Sequence, residues 1–240
     1  MELLSTFTSR FKREYTRFPI TETGRSNEYY VANPYFGSVD GEILYCMIRH
    51  FRPRKILEVG SGYSTYLSAQ AIQENRQEET GYACELTAIE PFPNESLKRG
   101  FPGRTRLLTA EVEKVPLSEF ESLRPNDICF IDSSHALRIG GDICYLYLEV
   151  LPRLGRGVLV HIHDIFLPEN YPREWVVKAR RFWTEQYVVQ AFLTFNERYQ
   201  LLWASHYMCM KHSDKIAGSF PSYQTCAKGY PSSLWLQRIK

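Results

Sequence analysis

Two places in the chain put reactive side chains at the ends of apolar runs. The first is KILEVGSGYST, Lys55 to Thr65: Glu58 precedes Gly60 and Gly62, and the hydroxyl residues Ser64 and Thr65 follow. The second is a pair of run ends, FIDSSH with Asp132 and His135, and HIHD with His161, His163 and Asp164. A Gly-x-Gly turn between strand and helix lets backbone approach a ligand closely, and the first N–H groups of the helix point at the same spot. Carboxylates and imidazoles together can move protons or hold a hard cation such as Mg²⁺, Mn²⁺ or Fe²⁺. The turn lacks the third glycine of a dinucleotide fingerprint, because position 65 is Thr65, and it lacks the Gly-Lys-Ser/Thr ending of a phosphate loop. Glu58 would repel a pyrophosphate. A ligand with a positive centre and a ribose suits the turn better.

The elements that must position these groups alternate along the chain. KILEVG (55–60), CELTAIEP (84–91), TRLLTA (105–110), DICFID (127–132) and GVLVHIHD (157–164) read as strands. TYLSAQAIQEN (65–75), PLSEFESL (116–123) and GGDICYLYLEVLPRL (140–154) read as helices between them. Such alternation means βαβ units and a parallel sheet with helices on both faces. Past Pro172, residues 173–195 read as one broken helix or two, YQLLWAS (199–205) as a strand, 218–233 as a loop and SSLWLQRI (232–239) as a last, antiparallel strand. The expectation is an α/β, Rossmann-like doubly wound, mostly parallel seven-stranded sheet with an antiparallel last strand. A helical lid segment over residues 1–50 precedes the main body at 51–240, in one domain overall. Ligands of such sheets sit outside the carboxyl ends of the strands, where both clusters fall.

The residues ILEVGSGYST resemble motif I of the class I S-adenosylmethionine-dependent methyltransferases. The resemblance implies that the loop passes under the methionine part of the cofactor, with Glu58, Gly60, Gly62, Ser64 and Asp132 around it. It implies that an acid at the end of the second strand binds the ribose. Here that is Glu90, 28 residues after Gly62 where about 20 is usual, with Glu85 as fallback at the other end of the strand. Ala110 and Glu111 would border the adenine. From about Asn33 to Pro172 the chain is similar to the metal-dependent small-molecule O-methyltransferases related to catechol O-methyltransferase. That similarity implies a divalent cation (Mg, Mn or Fe) on Asp132, His163 and Asp164, with His-Asp standing where the family has Asp-Asn. His135 replaces the family's base lysine and is the expected base, with Asp132 its catalytic neighbour. NPYFGSVDGEILYCMI (33–48) resembles the cofactor lid, with Phe36 and Asp40 as contacts, although Asp40 could instead cap a helix starting at Gly41. HIHDIFLPENYPREW resembles a group of bacterial class I methyltransferases, with Leu167, Pro168, Tyr171 and Trp175 as candidates to line an acceptor pocket. The implied activity is methyl transfer to a hydroxyl of a small polar acceptor, a sugar or secondary metabolite. Two alternatives stay open: an NAD-linked oxidoreductase and a non-catalytic methyltransferase-like binding protein. Asp132 as a helix cap and His161 as a hydrogen-bonded core histidine are the plain readings of those two residues.

Composition limits the rest. The 240 residues carry a formal charge of +2 with no basic block, so no nucleic-acid partner is expected. NPYF at 33–36 precedes the first strand rather than following the fourth, unlike a nucleic-acid methylation motif. The six cysteines, Cys46, Cys84, Cys129, Cys144, Cys209 and Cys226, form no CxxC pair and read as free thiols of a reducing compartment, the cytoplasm. No apolar run nears the ~18 residues of a membrane span. The basic N-terminus with Phe7, Phe11 and Phe18 reads as an amphipathic helix packed on the domain, not as a signal peptide. Aromatic residues make up 14%, which suits an enclosed pocket or a homodimer face equally.

Overall fold

Apolar residues alternate between the two faces of a central sheet, and the sheet is covered on both. The computed structural model describes residues 1–104, 106–225 and 230–240. Five parallel strands come from the five apolar runs: β1 (Lys55–Val59), β2 (Glu85–Ile89), β3 (Arg106–Leu108), β4 (Ile128–Ile131) and β5 (Leu159–Ile162). With β6 (Tyr199–Ala204) and β7 (Leu234–Arg238) they form one seven-stranded sheet in the order β3-β2-β1-β4-β5-β7-β6. β7 runs antiparallel to both β5 and β6, as expected for the last strand. The order reverses between β1 and β4, the switch point where α/β sheets open a ligand crevice.

On one face Ile56, Leu86, Phe130 and Leu159 pack with α1 (Glu2–Tyr15), α2 (Asp40–Phe51) and α3 (Tyr63–Glu78). α1 buries Leu4, Phe7, Phe11 and Tyr15, each contributing roughly 1.5–3 kcal/mol of apolar transfer, so the N-terminal helix docks as its pattern predicts. On the other face Leu57, Val59, Cys129, Ile131, Val160 and Ile162 are covered by later helices. α4 (Glu95–Arg99) and α5 (Leu117–Glu121) are short. α6 (Asp142–Tyr145) runs through a wider π turn at Leu146–Val150 into α7 (Leu151–Arg153), ahead of Pro152, which has no N–H for the helical ladder. The segment after Pro172 is two helices, α8 (Arg173–Val177) and α9 (Glu185–Leu193).

The stretch expected as a loop is partly helical. α10 (Ser205–Lys211) precedes it, α11 (Ser213–Ser219) runs into its first two residues, and α12 (Ser222–Thr225) lies within it. Each is too short to display a helical period, and each is held by one or two buried side chains, Met208, Ile216 and Ser222 among them. Cys226 and Thr105, the first residue of the expected third strand, lie outside the described residues. Cys46, Cys84, Cys129, Cys144 and Cys209 are free thiols. Among the described residues no helix is long and apolar enough to cross a membrane.

At the amino ends of the strands, buried Asp127 ties the sheet together. Its Oδ1 accepts the backbone N–H groups of Arg54 (2.9 Å) and Lys55 (2.8 Å), and its Oδ2 that of Arg124 (2.8 Å). The opposite, carboxyl edge carries the site.

Candidate active site

Strand register alone aligns the predicted residues. Val59 pairs with Ile89 on one side and Ile131 on the other, and Ile131 pairs with Ile162. One step further along each strand stand Glu90, Gly60, Asp132 and His163, in one row across the carboxyl edge. The ladder continues through this row: Gly60 N–H donates to Ile89 O, Asp132 N–H to Val59 O and His163 N–H to Ile131 O, each at 3.0 Å.

The two glycines serve different ends. Gly60 has φ +92°, and a Cβ there would lie 2.0 Å from the carbonyl oxygen of Asp132, so only glycine lets β1 bend against the tip of β4. At Gly62 a Cβ would meet nothing within 4 Å. Its N–H donates to Thr65 Oγ1 at 2.9 Å, which sets the first turn of α3, and its outer face is open. Below the bend Glu58 is 1% exposed. Ser64 Oγ donates to its Oε1 at 2.6 Å, while Oε2 is buried without a partner. Burial pushes its pKa up to about 8, against the pull of the Ser64 and Thr65 hydroxyls. Glu58 and Ser64 therefore shape the loop from beneath. Glu90 faces the bend from β2: its Oε2 accepts Ser61 Oγ–H (3.1 Å) and its Oε1 the Phe92 N–H (2.9 Å). Glu111 lies beyond β3, ion-paired with Lys114 at 2.5 Å. Glu85 starts β2, at the far edge.

The second cluster closes around His135. Its Nε2 lies 3.2 Å from Asp132 Oδ1 and 3.7 Å from Asp164 Oδ2, and its Nδ1 is 2.8 Å from Glu185 Oε2. Glu185 is fully buried, and Tyr147 donates to its Oε1 at 2.9 Å. The ring is thus clamped with Nδ1–H toward Glu185 and Nε2 toward the cavity. Burial pulls its pKa down, but the hydrogen bonds and charges of Asp132 and Glu185 outweigh it and the pKa rises to about 10. Burial would likewise raise Asp132, yet His163 and His135 hold it well below the usual carboxylate range. His163 Nδ1 is 3.5 Å from Asp132 Oδ2 and 3.7 Å from Asp164 Oδ1, and its Nε2 is 3.5 Å from Asp40 Oδ2. Both His135 (φ +57°) and Asp164 (φ +58°) sit in the left-handed region, a cost of roughly 1–3 kcal/mol each that tends to be held at functional sites.

Asp132, His135 and Asp164 each offer a ligand atom within 4.8 Å of the others. Two carboxylates and one imidazole suit a hard or borderline divalent cation, and Glu185 on the far ring nitrogen is the outer partner such a ligating histidine ordinarily has. The donor chemistry therefore fits a cation. The open face of Gly62 and the acid of Glu90 beside it fit a nucleoside with a positive centre.

Asp132, His135, His163 and Asp164 face a cavity of about 860 Å³ that also takes in Asp40 and residues 31–35 of the N-terminal segment, with Trp175, Arg181, Trp183 and Tyr230 as a wall. Asp40 is no helix cap; it is the first residue of α2, and its carboxylate accepts Ser232 N–H (2.8 Å) and Ser233 N–H (3.0 Å) besides facing His163. Asp132 caps no helix either, since Asp142 bonds the Ser134 N–H and hydroxyl instead. Phe36 is 2% exposed and packs 4.9 Å from the His163 ring, a support and not a lining residue. His161 is a core histidine, stacked 3.9 Å over Phe130 with Nε2 2.9 Å from Ser233 Oγ. Of the four acceptor-pocket candidates only Trp175 reaches the cavity; Tyr171 is buried and donates nothing to it, its oxygen accepting the Gln186 N–H. Glu185 and Trp183 were not legible in the sequence: Glu185 opens a helix 50 residues from His135, where an acid reads as an ordinary first-turn residue.

Residues 57–165 match the methyltransferase domain family. An uncharacterized protein of Archaeoglobus fulgidus is 33% identical over 102 residues, 42% of this chain and 44% of that one, so the match spans under half the length of that curated relative. The SAH-bound methyltransferase PaMTH1 of Podospora anserina superposes with TM-score 0.50 at 13% identity, over all of this chain and 89% of that one. The apo-structure CmcI-N160 gives TM-score 0.45 at 14% identity, over 95% and 84%. Residues 57–165 therefore resemble a methyltransferase domain, and the chain shares the Rossmann-like α/β fold of PaMTH1.

Proposed function

We propose that the protein transfers a methyl group from S-adenosylmethionine to a hydroxyl of a small polar acceptor, with a divalent cation at the acceptor side. The observation that carries this reading is the row Glu90–Gly60–Asp132–His163 at the switch point, which sets an acid and a glycine bend beside a carboxylate–imidazole cluster. S-adenosylmethionine, when bound, supplies an electrophilic methyl on a sulfonium. Gly60, Gly62 and Glu90 would hold it, Glu111 would border its adenine, and Glu58 with Ser64 would fix the loop under it. A divalent cation, when bound on Asp132 and Asp164 with a histidine, supplies Lewis acidity that makes a hydroxyl easier to ionise.

The chain's own residues do the rest. Residues 31–35 and the tryptophan wall line the cavity and would shield the bound acceptor from water. His135 Nε2 faces the cavity and accepts the acceptor's proton, while Glu185 keeps Nδ1–H in place, itself held by Tyr147. His135 would act as base in its neutral form, which a cation offsetting the charge of Asp132 would favour. A second reading, favoured by the convergence of Asp132, His135 and Asp164, makes Nε2 a cation ligand. His135→Gln separates them by manganese calorimetry: as base, manganese affinity survives; as ligand, it falls at least about tenfold. For the whole reading, Asp132→Ala is expected to lose turnover while still binding S-adenosylhomocysteine. A variant with full turnover overturns the cation-and-base mechanism.

The structure gives no support to a pyrophosphate on this turn, since Thr65 stands where a third glycine would be. Small acceptors, a cytoplasmic setting and residues 1–50 as a lid belong to the same proposal; the cavity-lining residues 31–35 support the lid.

A further inference from the structure

Among the described residues, Arg181 is the one cation on the cavity wall whose charge is not committed. The two histidines of the floor each face carboxylates: His135 meets Asp132, Asp164 and Glu185, and His163 meets Asp40, Asp132 and Asp164. Arg181 makes no ion pair among the described residues. Its guanidinium lies 4.5 Å from the Trp175 ring centre and 4.9 Å from that of Trp183. The one acid on the neighbouring helix turn, Glu174, has its Oε1 engaged by the Tyr230 hydroxyl at 3.4 Å.

The indoles fix this guanidinium. Trp175 and Trp183 meet edge to face at 5.3 Å, and the Arg181 N–H donates to Trp175 O at 2.9 Å, closing the loop between them. An arginine held on aromatic faces keeps its planar fork free at the edge, the geometry that takes a carboxylate or phosphate through two N–H groups. The same wall is joined to the reaction centre. Trp183 lies 4.2 Å from the His135 ring, and the backbone N–H groups of Thr184 and Glu185 donate to His135 O at 2.8 and 3.1 Å. A group seated on Arg181 is therefore on a wall that His135 itself anchors.

We propose that the acceptor is a hydroxylated ring bearing an oxyanion, carboxylate or phosphate, which pairs with Arg181 while the ring lies along Trp175 and Trp183. This rests on the methyl-transfer reading for what the cavity receives. It adds the charge of the substrate: the floor handles the hydroxyl, and Arg181 selects for an anion some way from it. Neutral polyols and phenols fit the floor but leave the guanidinium unused. Cationic acceptors are repelled.

The test compares matched rings by titration of the tryptophan indole N–H signals in NMR. Glucose, glucuronate and glucose 6-phosphate form one set, and catechol with 3,4-dihydroxybenzoate the other. In the wild type, an anionic ring binds at least about tenfold more tightly than its neutral partner in one set or both, the order of a charge-assisted pair. The set and the anion that win say whether carboxylate or phosphate is the natural group. Arg181→Gln abolishes the preference and Arg181→Lys keeps part of it; the side chain is exposed, so neither variant threatens folding. Equal binding of anionic and neutral rings in both sets, no binding included, overturns the proposal, as does a preference that survives Arg181→Gln. S-adenosylhomocysteine calorimetry on the same wild-type sample is read separately. Its failure would sink the methyl-transfer reading, whereas the anion preference stands or falls on the NMR titration.

Discussion

Adding one methyl group to each glycine of the bend should give two different failures. At Gly60 the new Cβ would lie 2.0 Å from Asp132 O, and the residue keeps φ +92°. The left-handed backbone costs alanine about 1–2 kcal/mol, and relieving an overlap in packed structure costs about 1–3 kcal/mol more. The backbone oxygen cannot yield easily, because the same residue's N–H closes the ladder onto Val59 O. Gly60→Ala should therefore lose about 2–5 kcal/mol. At roughly 2–4 °C per kcal/mol for a chain of this size, that is a fall of about 4–20 °C in melting temperature. Gly62 is extended, and nothing lies within 4 Å of its Cβ position. As the residue capping α3 it should lose only about 1 kcal/mol on change to alanine, or about 2–4 °C. Its methyl would nevertheless fill the space proposed for the cofactor, and S-adenosylhomocysteine affinity should drop at least tenfold. Thermal melts and calorimetry on the two variants decide the matter. A Gly62→Ala protein that binds S-adenosylhomocysteine like wild type refutes the seat, and a Gly60→Ala protein as stable as wild type refutes the close approach.

Asp127→Ala removes the acceptor of three part-buried backbone N–H groups at the far edge of the sheet; about 1–3 kcal/mol of stability should be lost in urea denaturation, with S-adenosylhomocysteine affinity unchanged. Glu58 keeps its proton in the folded state up to about pH 8 but loses it near 4.5 when unfolded, so wild-type stability falls as pH rises through that window. Glu58→Gln should remove this slope, which approaches about 1.4 kcal/mol per pH unit for one proton; its advantage over wild type should grow from pH 5 to 8, and a constant difference contradicts the assignment. Glu185→Gln, which replaces the carboxylate on His135 Nδ1, should lower kcat/KM roughly 10–100-fold with cofactor affinity within twofold; unchanged kcat/KM would remove Glu185 from the mechanism.

The sheet was legible because its signal is local. The runs of β1, β2, β4 and β5 are short, apolar and end in Gly, Pro or an acid, and these strands lie within them. The row of tip residues followed, since parallel strands that end together must bring their next residues together. What escaped was non-local. Glu185 meets His135 across 50 positions, and no spacing rule marks such a partner. Asp40 read as a cofactor contact or a helix cap, both local roles; its actual partners, Ser232, Ser233 and His163, come from the far end of the chain and from β5. The aromatic wall failed in the same way. Leu167, Pro168, Tyr171 and Trp175 share one loop, but Gln186 and the packing of Phe166 turn Tyr171 inward, and the pocket draws on Trp183 and Tyr230 instead.

The central claim is tested most directly by a crystal structure of the protein grown with S-adenosylhomocysteine and a manganese salt. The account predicts the ribose on Glu90, the amino-acid tail over Gly62, and manganese density among Asp132, Asp164 and a histidine. Nucleoside density elsewhere on the sheet, or a Glu90 carboxylate still closed on Ser61 and Phe92 with the bend vacant, would contradict it.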